Sequence, residues 1–337
     1  MLVSLKRIAS VAGSSESELR QLADEVEEGQ HFHVYRARLR RRDRSIYWPD
    51  TPYDTALKQI RPALERLLSY EAPQHVYGFV KRRSTRQNAA NHLDADCVLT
   101  IDLADFFASI KREAVIGALG DSGADKDASE VIGRLTTPRG VLGMGLSTSP
   151  YLSNLVFLRT DDELASLATS LDIRFTRYVD DLTFSGAIDD KKAEHIKAVL
   201  ISNGWTVNDR KTRFMRRGRA QYVTGLSVSD AVAPRAPRRL KRRMRWRLNM
   251  IERYGFYTYV TRFSGGSVDS MLHEAERLRG LAQYIASVEP NLRSGWLERW
   301  YRAVPTTSHR FDNEGDTTRL IKLDEDDIRR LLEDEAQ

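Results

Sequence analysis

Apolar and polar residues recur in two rhythms along the first part of the chain. His33, Tyr35, Ala37 and Leu39, then Ile46 and Trp48, keep a spacing of two. That spacing predicts a β-hairpin over 31–48, turning at Arg41-Arg42-Asp43. Ala56, Leu57, Ile60, Leu64, Leu67 and Leu68 switch to helical spacing and predict a helix over 53–70. Ahead of both, residues 1–30 read as two short helices, with Ser14 or Ser15 capping the Glu-rich second. The run from Ile8 to Gly13, followed by Ser17-Glu18-Leu19, also fits a DNA-binding helix-turn-helix. A helical pair packed on the main body is the favoured reading.

In the middle of the chain, apolar runs predict strands near 97–102, 173–178, 181–185 and 221–228. Helices are predicted between and around them, near 110–119, 146–169 and 189–202. This order gives an α+β class, with helices covering one face of a sheet. From Pro234 onward the pattern becomes a basic helix reaching about 254, then helices near 269–287 and 291–302. From Asp312 the chain is acidic and polar, with a short helix at 324–335. No internal repeat is visible.

The 337 residues, 41% hydrophobic, suffice for a core divided among two or three lobes. A formal net charge of +6 favours a polyanionic partner. The single cysteine, Cys97, lies in an apolar run and reads as an inert core residue. One cysteine cannot form an internal disulfide, which fits a reducing compartment. No stretch approaches the ~18 apolar residues of a membrane span. A cytoplasmic protein without a membrane partner is the expectation.

The chemistry begins with adjacent carboxylates, Asp180 and Asp181, inside Arg177-Tyr178-Val179-Asp180-Asp181-Leu182-Thr183-Phe184. At a hairpin turn they would repel each other unless a cation stood between them. Val98-Leu99-Thr100-Ile101-Asp102-Leu103 adds a third carboxylate after another strand-like run. Mg²⁺ is hard and prefers oxygen, so this set suits two Mg²⁺ ions serving nucleotidyl transfer. An isolated Asp-Asp pair is usually a solvated turn; strand-like flanks and the upstream Asp102 favour the metal reading. Phe107, just past Asp102, stands where a bulky ring can block a ribose 2′-OH, whereas Phe106 reads equally well as core. Gly140 to Pro150 is a glycine-punctuated entry to a helix, which lets backbone approach a nucleotide.

Basic residues form four clusters. Arg36, Arg38, Arg40, Arg41, Arg42 and Arg44 decorate the first hairpin. Lys81, Arg82, Arg83 and Arg86 follow Gly78-Phe79-Val80, and Arg210 to Arg219 supplies six more. Eight of the thirteen residues from Arg235 to Arg247 are Lys or Arg, among them Arg238, Arg239, Arg242 and Arg243. One such run is usually a solvated face. Four runs flanking a metal site, with Tyr35, Tyr47, Trp48, Trp246 and Tyr254 nearby, favour phosphate tracking. No zinc-spaced His/Cys set, Gly-x-Ser-x-Gly elbow or Walker motif is present, and His195 reads as exposed on a polar helix.

Together these residues resemble the reverse transcriptases and, within them, the bacterial retron enzymes. Ile101 to Phe107 is similar to the first catalytic motif, and Tyr178-Val179-Asp180-Asp181 to the metal-binding Tyr-x-Asp-Asp box. Gly145 to Leu155 resembles the template-supporting helix. Val207 to Thr212 resembles the motif whose lysine, here Lys211, protonates pyrophosphate. Asn88-Ala89-Ala90-Asn91-His92 is similar to the Asn-Ala-x-x-His element of retron enzymes, and Val223-Thr224-Gly225 to their Val-Thr-Gly element. Arg44, with Arg36 second, resembles the fingers arginine that contacts the incoming triphosphate.

The resemblance implies a right hand of fingers, palm and thumb, with a ferredoxin-like palm sheet backed by helices and a helical thumb. Fingers and N-terminal helices would occupy 1–95 and the palm 96–230, with part of 120–145 on the fingers side. A basic thumb would follow over 231–311 and an acidic tail over 312–337. The implied activity is RNA-directed DNA synthesis (msDNA) on a cognate non-coding RNA, from dNTPs and primed by an internal guanosine 2′-OH. Anti-phage defence with a separately encoded effector is implied as well. Asn88, His92, Thr224, Gly225 and the 235–247 arginines would contact the RNA or its RNA–DNA product. Three positions depart from the family pattern. Met144 replaces the usual amide side chain beside the nucleotide, Val179 the commonest alanine, and Ala108 a common proline. The alternatives are a defence reverse transcriptase without branched priming and a non-catalytic RNA-binding scaffold.

Overall fold

The computed structural model describes residues 2–39, 42–266 and 270–304. The chain divides into two compact units, Met1–Thr224 and Gly225–Gln337.

In the first unit, α1 (Leu5–Ala12) and α2 (Glu16–Glu27) form the expected helical pair. Ser15 and Glu18 make a capping box at the start of α2, satisfying two amides that a helix otherwise leaves unpaired. Leu5, Ile8, Leu19, Ala23 and Val26 are buried in the main core, so the pair packs on the body instead of presenting a recognition helix. Strands β1 (Phe32–Leu39) and β2 (Arg42–Pro49) pair antiparallel. Helix α3 (Thr51–Leu67) follows, capped by Asp50, and then the short α4 (Thr85–Ala90). Arg40 and Arg41, and the side chains of Arg38 and Arg42, lie outside the described residues.

β3 (Cys97–Asp102) leads through α5 (Phe106–Ser109), α6 (Arg112–Asp121) and α7 (Lys126–Thr136) into the long α8 (Ser149–Ser170). β4 (Arg174–Tyr178), β5 (Asp181–Gly186), α9 (Asp190–Ser202) and β6 (Arg213–Arg216) complete the sheet. Its order is β4-β5-β3-β6, antiparallel throughout, which is ferredoxin-like connectivity. Leu99, Ile101, Leu182 and Phe184 on one face join the helical core. The other face is rich in hydroxyls, with Thr176, Thr183 and Ser185 all buried.

The predicted strand over 221–228 is interrupted. Thr224 and Gly225 both take left-handed backbone, φ 46° and 81°, leaving β7 (Tyr222–Val223) and β8 (Leu226–Ser227) on either side. β6, α4 and α7 were not foreseen. Arg213-Phe214-Met215-Arg216 reads as a charge cluster because it is an exposed edge strand.

In the second unit, α10 (Arg238–Tyr254) buries Met244, Leu248, Ile251 and Tyr254 at helical spacing and exposes Arg238, Arg239, Arg242 and Arg243 opposite. α11 (Phe256–Thr258), a π-turn at Tyr259–Phe263, α12 (Met271–Val288) and α13 (Arg293–Ala303) follow. Buried Glu289 accepts from Lys241 Nζ at 2.7 Å and from the Ala236 amide at 3.0 Å, fixing the start of α10. The predicted acidic tail and its helix lie outside the described residues.

Candidate active site

β3 ends on Asp102 and β5 begins on Asp181, and strand register sets the two opposite each other. A two-residue turn, Val179–Asp180, joins β4 to β5, and the Asp180 carbonyl accepts the Leu103 amide at 3.1 Å. Strand pairing thus brings Asp102 to an adjacent pair of aspartates that lies far along the chain from it.

The turn is strained, because Val179 is β-branched and sits at φ 63°. A buried brace holds it. Arg177, fully buried, binds Asp161 with both arms of its guanidinium, at 2.7 and 2.6 Å. The same group donates to Asn154 Oδ1 and to the Val179 carbonyl, each at 3.1 Å, and stacks over Phe157 at 4.5 Å. Asn154 in turn donates to the Gly78 carbonyl at 3.0 Å. Gly78 lies so close that a Cβ there would fall 2.4 Å from the Val179 nitrogen. The motif reading passed over this brace, yet a signal existed. Asn154 and Asp161 occupy the spacing of Phe157, Leu164 and Ala168, the buried stripe of α8.

Asp102 is nearly buried and has two partners from the loop before β6. Lys211 Nζ lies 2.5 Å from Oδ1, and Asn208 donates to Oδ2 at 2.9 Å while its amide bonds the Asp102 carbonyl at 2.8 Å. Asn208 is a positioning residue that the motif reading did not single out. Burial raises the Asp180 carboxyl above its ordinary range, the Asp102 charge adds to the rise, and Lys211 and Arg44 oppose it. Asp181 is exposed. The donor set is carboxylate oxygen, which suits a hard divalent ion. Among the described residues, no three Asp, Glu, His or Cys side chains already form a finished ligand shell. An ion binding Asp102 competes with the Lys211 ammonium.

Asp180, Asp181 and Lys211 open onto a cleft of about 540 Å³ lined also by Leu103, next to Asp102, and by Arg44, Phe107, Met144 and Tyr178. Phe107 is half-buried in that wall, while Phe106 packs in the core against Phe157 and Trp205. Arg36 is exposed opposite Ser45 and is not among the lining residues. Met144 lines the cleft, and its carbonyl accepts the Tyr47 amide at 2.8 Å. Gly145 serves that contact, since a Cβ would fall 2.4 Å from the Tyr47 carbonyl oxygen. The glycine is explained by packing on β2, where the sequence suggested approach to a nucleotide.

Two expected RNA contacts need correction. His92 is fully buried between Ser185 Oγ and Thr176 Oγ1, each at 2.7 Å, and burial pushes its imidazole down to about 3. It is a neutral brace on the hydroxyl face of the sheet. Asn88 is likewise buried, on α4, and has no surface to offer an RNA. Thr224 is half-buried and donates to the Thr85 carbonyl at 3.2 Å, which ties the Val-Thr-Gly segment to α4. Gly225 is exposed.

An α+β sheet that sets Asp102 opposite Asp181, with Asp180 on the adjoining turn, carries the carboxylates that nucleotidyl transfer on hard divalent ions requires. Residues 49–241 match the reverse transcriptase (RNA-dependent DNA polymerase) family. The chain is 30% identical to the retron Mx162 reverse transcriptase of Myxococcus xanthus, over 91% of its length and 68% of that protein's. It is 37% identical to the retron Mx65 enzyme of the same organism (52% and 47%) and 32% identical to the retron Ec86 enzyme of Escherichia coli (56% and 60%). The chain belongs to the bacterial retron reverse transcriptases and is an RNA-directed DNA polymerase. Members of the wider family generally depend on a divalent metal. No described helix is long and apolar enough to cross a membrane.

Proposed function

We propose that this enzyme copies part of a cognate non-coding RNA into DNA, starting from an internal guanosine 2′-OH, with Asp102, Asp180 and Asp181 as the ligands of two Mg²⁺ ions. The reading rests on one observation, the Asp102–Asp181 register with Asp180 on the adjoining turn. When bound, the ions activate the primer hydroxyl and neutralise the leaving pyrophosphate. Lys211 brings a proton donor to the same cleft, and the planar fork of Arg44 suits triphosphate oxygens. Phe107 in the cleft wall excludes a ribose 2′-OH. The exposed arginines of α10 grip the RNA or hybrid backbone as part of a thumb. The biological setting is anti-phage defence beside a separately encoded effector.

Changing Asp180→Asn together with Asp181→Asn should abolish primer extension and leave RNA affinity at the wild-type level. Persistent synthesis would remove the metal assignment. Sequencing nucleic acid co-purified with the wild type tests the priming: a 2′–5′ branched product supports it. A linear product would assign the chain to polymerisation without branching.

A further inference from the structure

The helix that carries Phe107 does little to fix its ring. α5 has only four residues, and its N-cap, Asp105, takes left-handed backbone and supplies no side-chain cap. Two rings flank Phe107 instead. Phe106 packs against it from the core at 5.4 Å, and Phe79 lies on it at 6.3 Å with the planes 50° apart. Both separations are those of interacting aromatic pairs. Phe79 is 44% exposed, so it adds little to the core, and it is not among the residues that line the cleft.

The backbone holds Phe79 in place against its own preference. Its φ is 61°, left-handed for a bulky residue, a conformation that persists only where the surroundings impose it. Those surroundings are well tied. Val76 forms a parallel bridge with Arg177 of β4. The Tyr77 amide donates to the Arg177 carbonyl and the Arg177 amide to the His75 carbonyl, each at 2.8 Å. Arg83 closes the segment by donating to the carbonyls of Ala72, Pro73 and Val76. Gly78 is wedged against Val179, with Asn154 on its carbonyl. One short segment therefore touches the aspartate turn through Gly78 and Phe107 through Phe79.

We infer that Phe79 is a positioning residue for substrate choice: its ring holds Phe107 in the cleft wall, and without it the wall yields to a ribose 2′-OH. The inference rests on the reading of Phe107 as the group that excludes ribonucleotides, and adds what keeps that group in place. Phe79 acts through Phe107, since it has no place in the cleft lining.

The test is single-nucleotide incorporation by the full chain on a primed RNA template, with a dNTP and the matching rNTP each titrated for kcat and KM. Phe79→Gly suits the left-handed backbone and removes only the ring. Its preference for dNTP over rNTP should fall about two- to tenfold, the strength of an aromatic pair, through a gain in rNTP kcat/KM. Its dNTP kinetics and thermal midpoint should stay near wild type, and Phe79→Tyr should keep the preference. Phe107→Val should relax the preference further, and adding Phe79→Gly to it should change nothing more. The preference is a ratio, so it does not depend on the fraction of active protein. An unchanged preference in Phe79→Gly, with Phe107→Val relaxed, would overturn the role of Phe79 alone. Equal losses for both nucleotides would overturn it too, and make Phe79 a contact to primer or template. A preference that survives Phe107→Val would defeat the reading of Phe107 and the inference with it.

Discussion

The β4–β5 hairpin and the β1–β2 hairpin both reach the catalytic cleft, one carrying carboxylates and the other guanidinium groups. Beneath the first, the supporting side chains Arg177, Asp161 and Asn154 are all buried, and they hold the half-buried Val179 at φ 63°. The second presents Arg36, Tyr35 and Trp48 to solvent and is fixed through Tyr47 and its contacts with the Met144–Gly145 segment. On the function proposed above, the difference follows from the ligands. Carboxylates that hold small hard ions must stand within tenths of an ångström, so their turn is wired from below. Side chains that follow a flexible polyanion gain from freedom and from water around them.

Breaking the brace should have the largest effect. Arg177→Met leaves Asp161 charged and buried without a partner, a loss of about 3–5 kcal/mol read as a fall in thermal midpoint. Adding Asp161→Leu should recover most of that stability. DNA synthesis should stay impaired in the double variant, because nothing then holds the Val179 carbonyl. Recovered activity would mean that the turn keeps its shape unaided.

On the exposed hairpin the expected effect is smaller and confined to substrate binding. Arg44→Ala should raise KM for dNTPs about tenfold or more, the loss of a charge-assisted hydrogen bond, with thermal stability unchanged. A fall in stability would move Arg44 into the braced class. On α10, replacing Arg238, Arg239 and Arg242 by Gln should weaken RNA binding and flatten its salt dependence, by about one unit of slope per lost phosphate contact. An unaltered slope would leave that face merely solvated.

The smallest effect concerns the joint between α2 and the hairpin. His31 bonds Asp50 at 2.8 Å and Glu25 at 2.9 Å, and the Asp50 hydrogen bond chiefly raises its imidazole above the ordinary histidine range. A raised folded-state value means stability is fully present below the unfolded value of about 6.5. It is lost as pH rises through the higher folded value. The difference in thermal midpoint between wild type and His31→Gln should therefore be greatest in mild acid and shrink toward pH 8.

Much of this protein is written locally. β3 and β5 were readable as largely apolar or β-branched runs with a carboxylate at one end, β4 because Ile173 and Phe175 alternate with Arg174 and Thr176 ahead of the turn, and α8 because its buried positions keep helical spacing. Asp180, Asp181, Phe107, Arg44, Met144 and Lys211 stood out in the sequence as candidates and line one cleft, while Asp102 lies beside it through its register with Asp181 and its bond to Lys211. His92 was misread because its fate depends on Thr176 and Ser185, 84 and 93 residues away. β6 was missed because an edge strand needs only one partner, and its exposed arginines hide the alternation.

By itself, then, the sequence determined which residue types carry charge and which segments extend or coil, since those follow from neighbours a few positions apart. Tertiary structure alone decided that Asp102 faces Asp181, that Asn208 and Lys211 occupy its oxygens, and that Arg177 lies under the turn. Each of these depends on strand register or on burial between distant elements. A polar group removed from water must take whatever partner the fold has brought within reach.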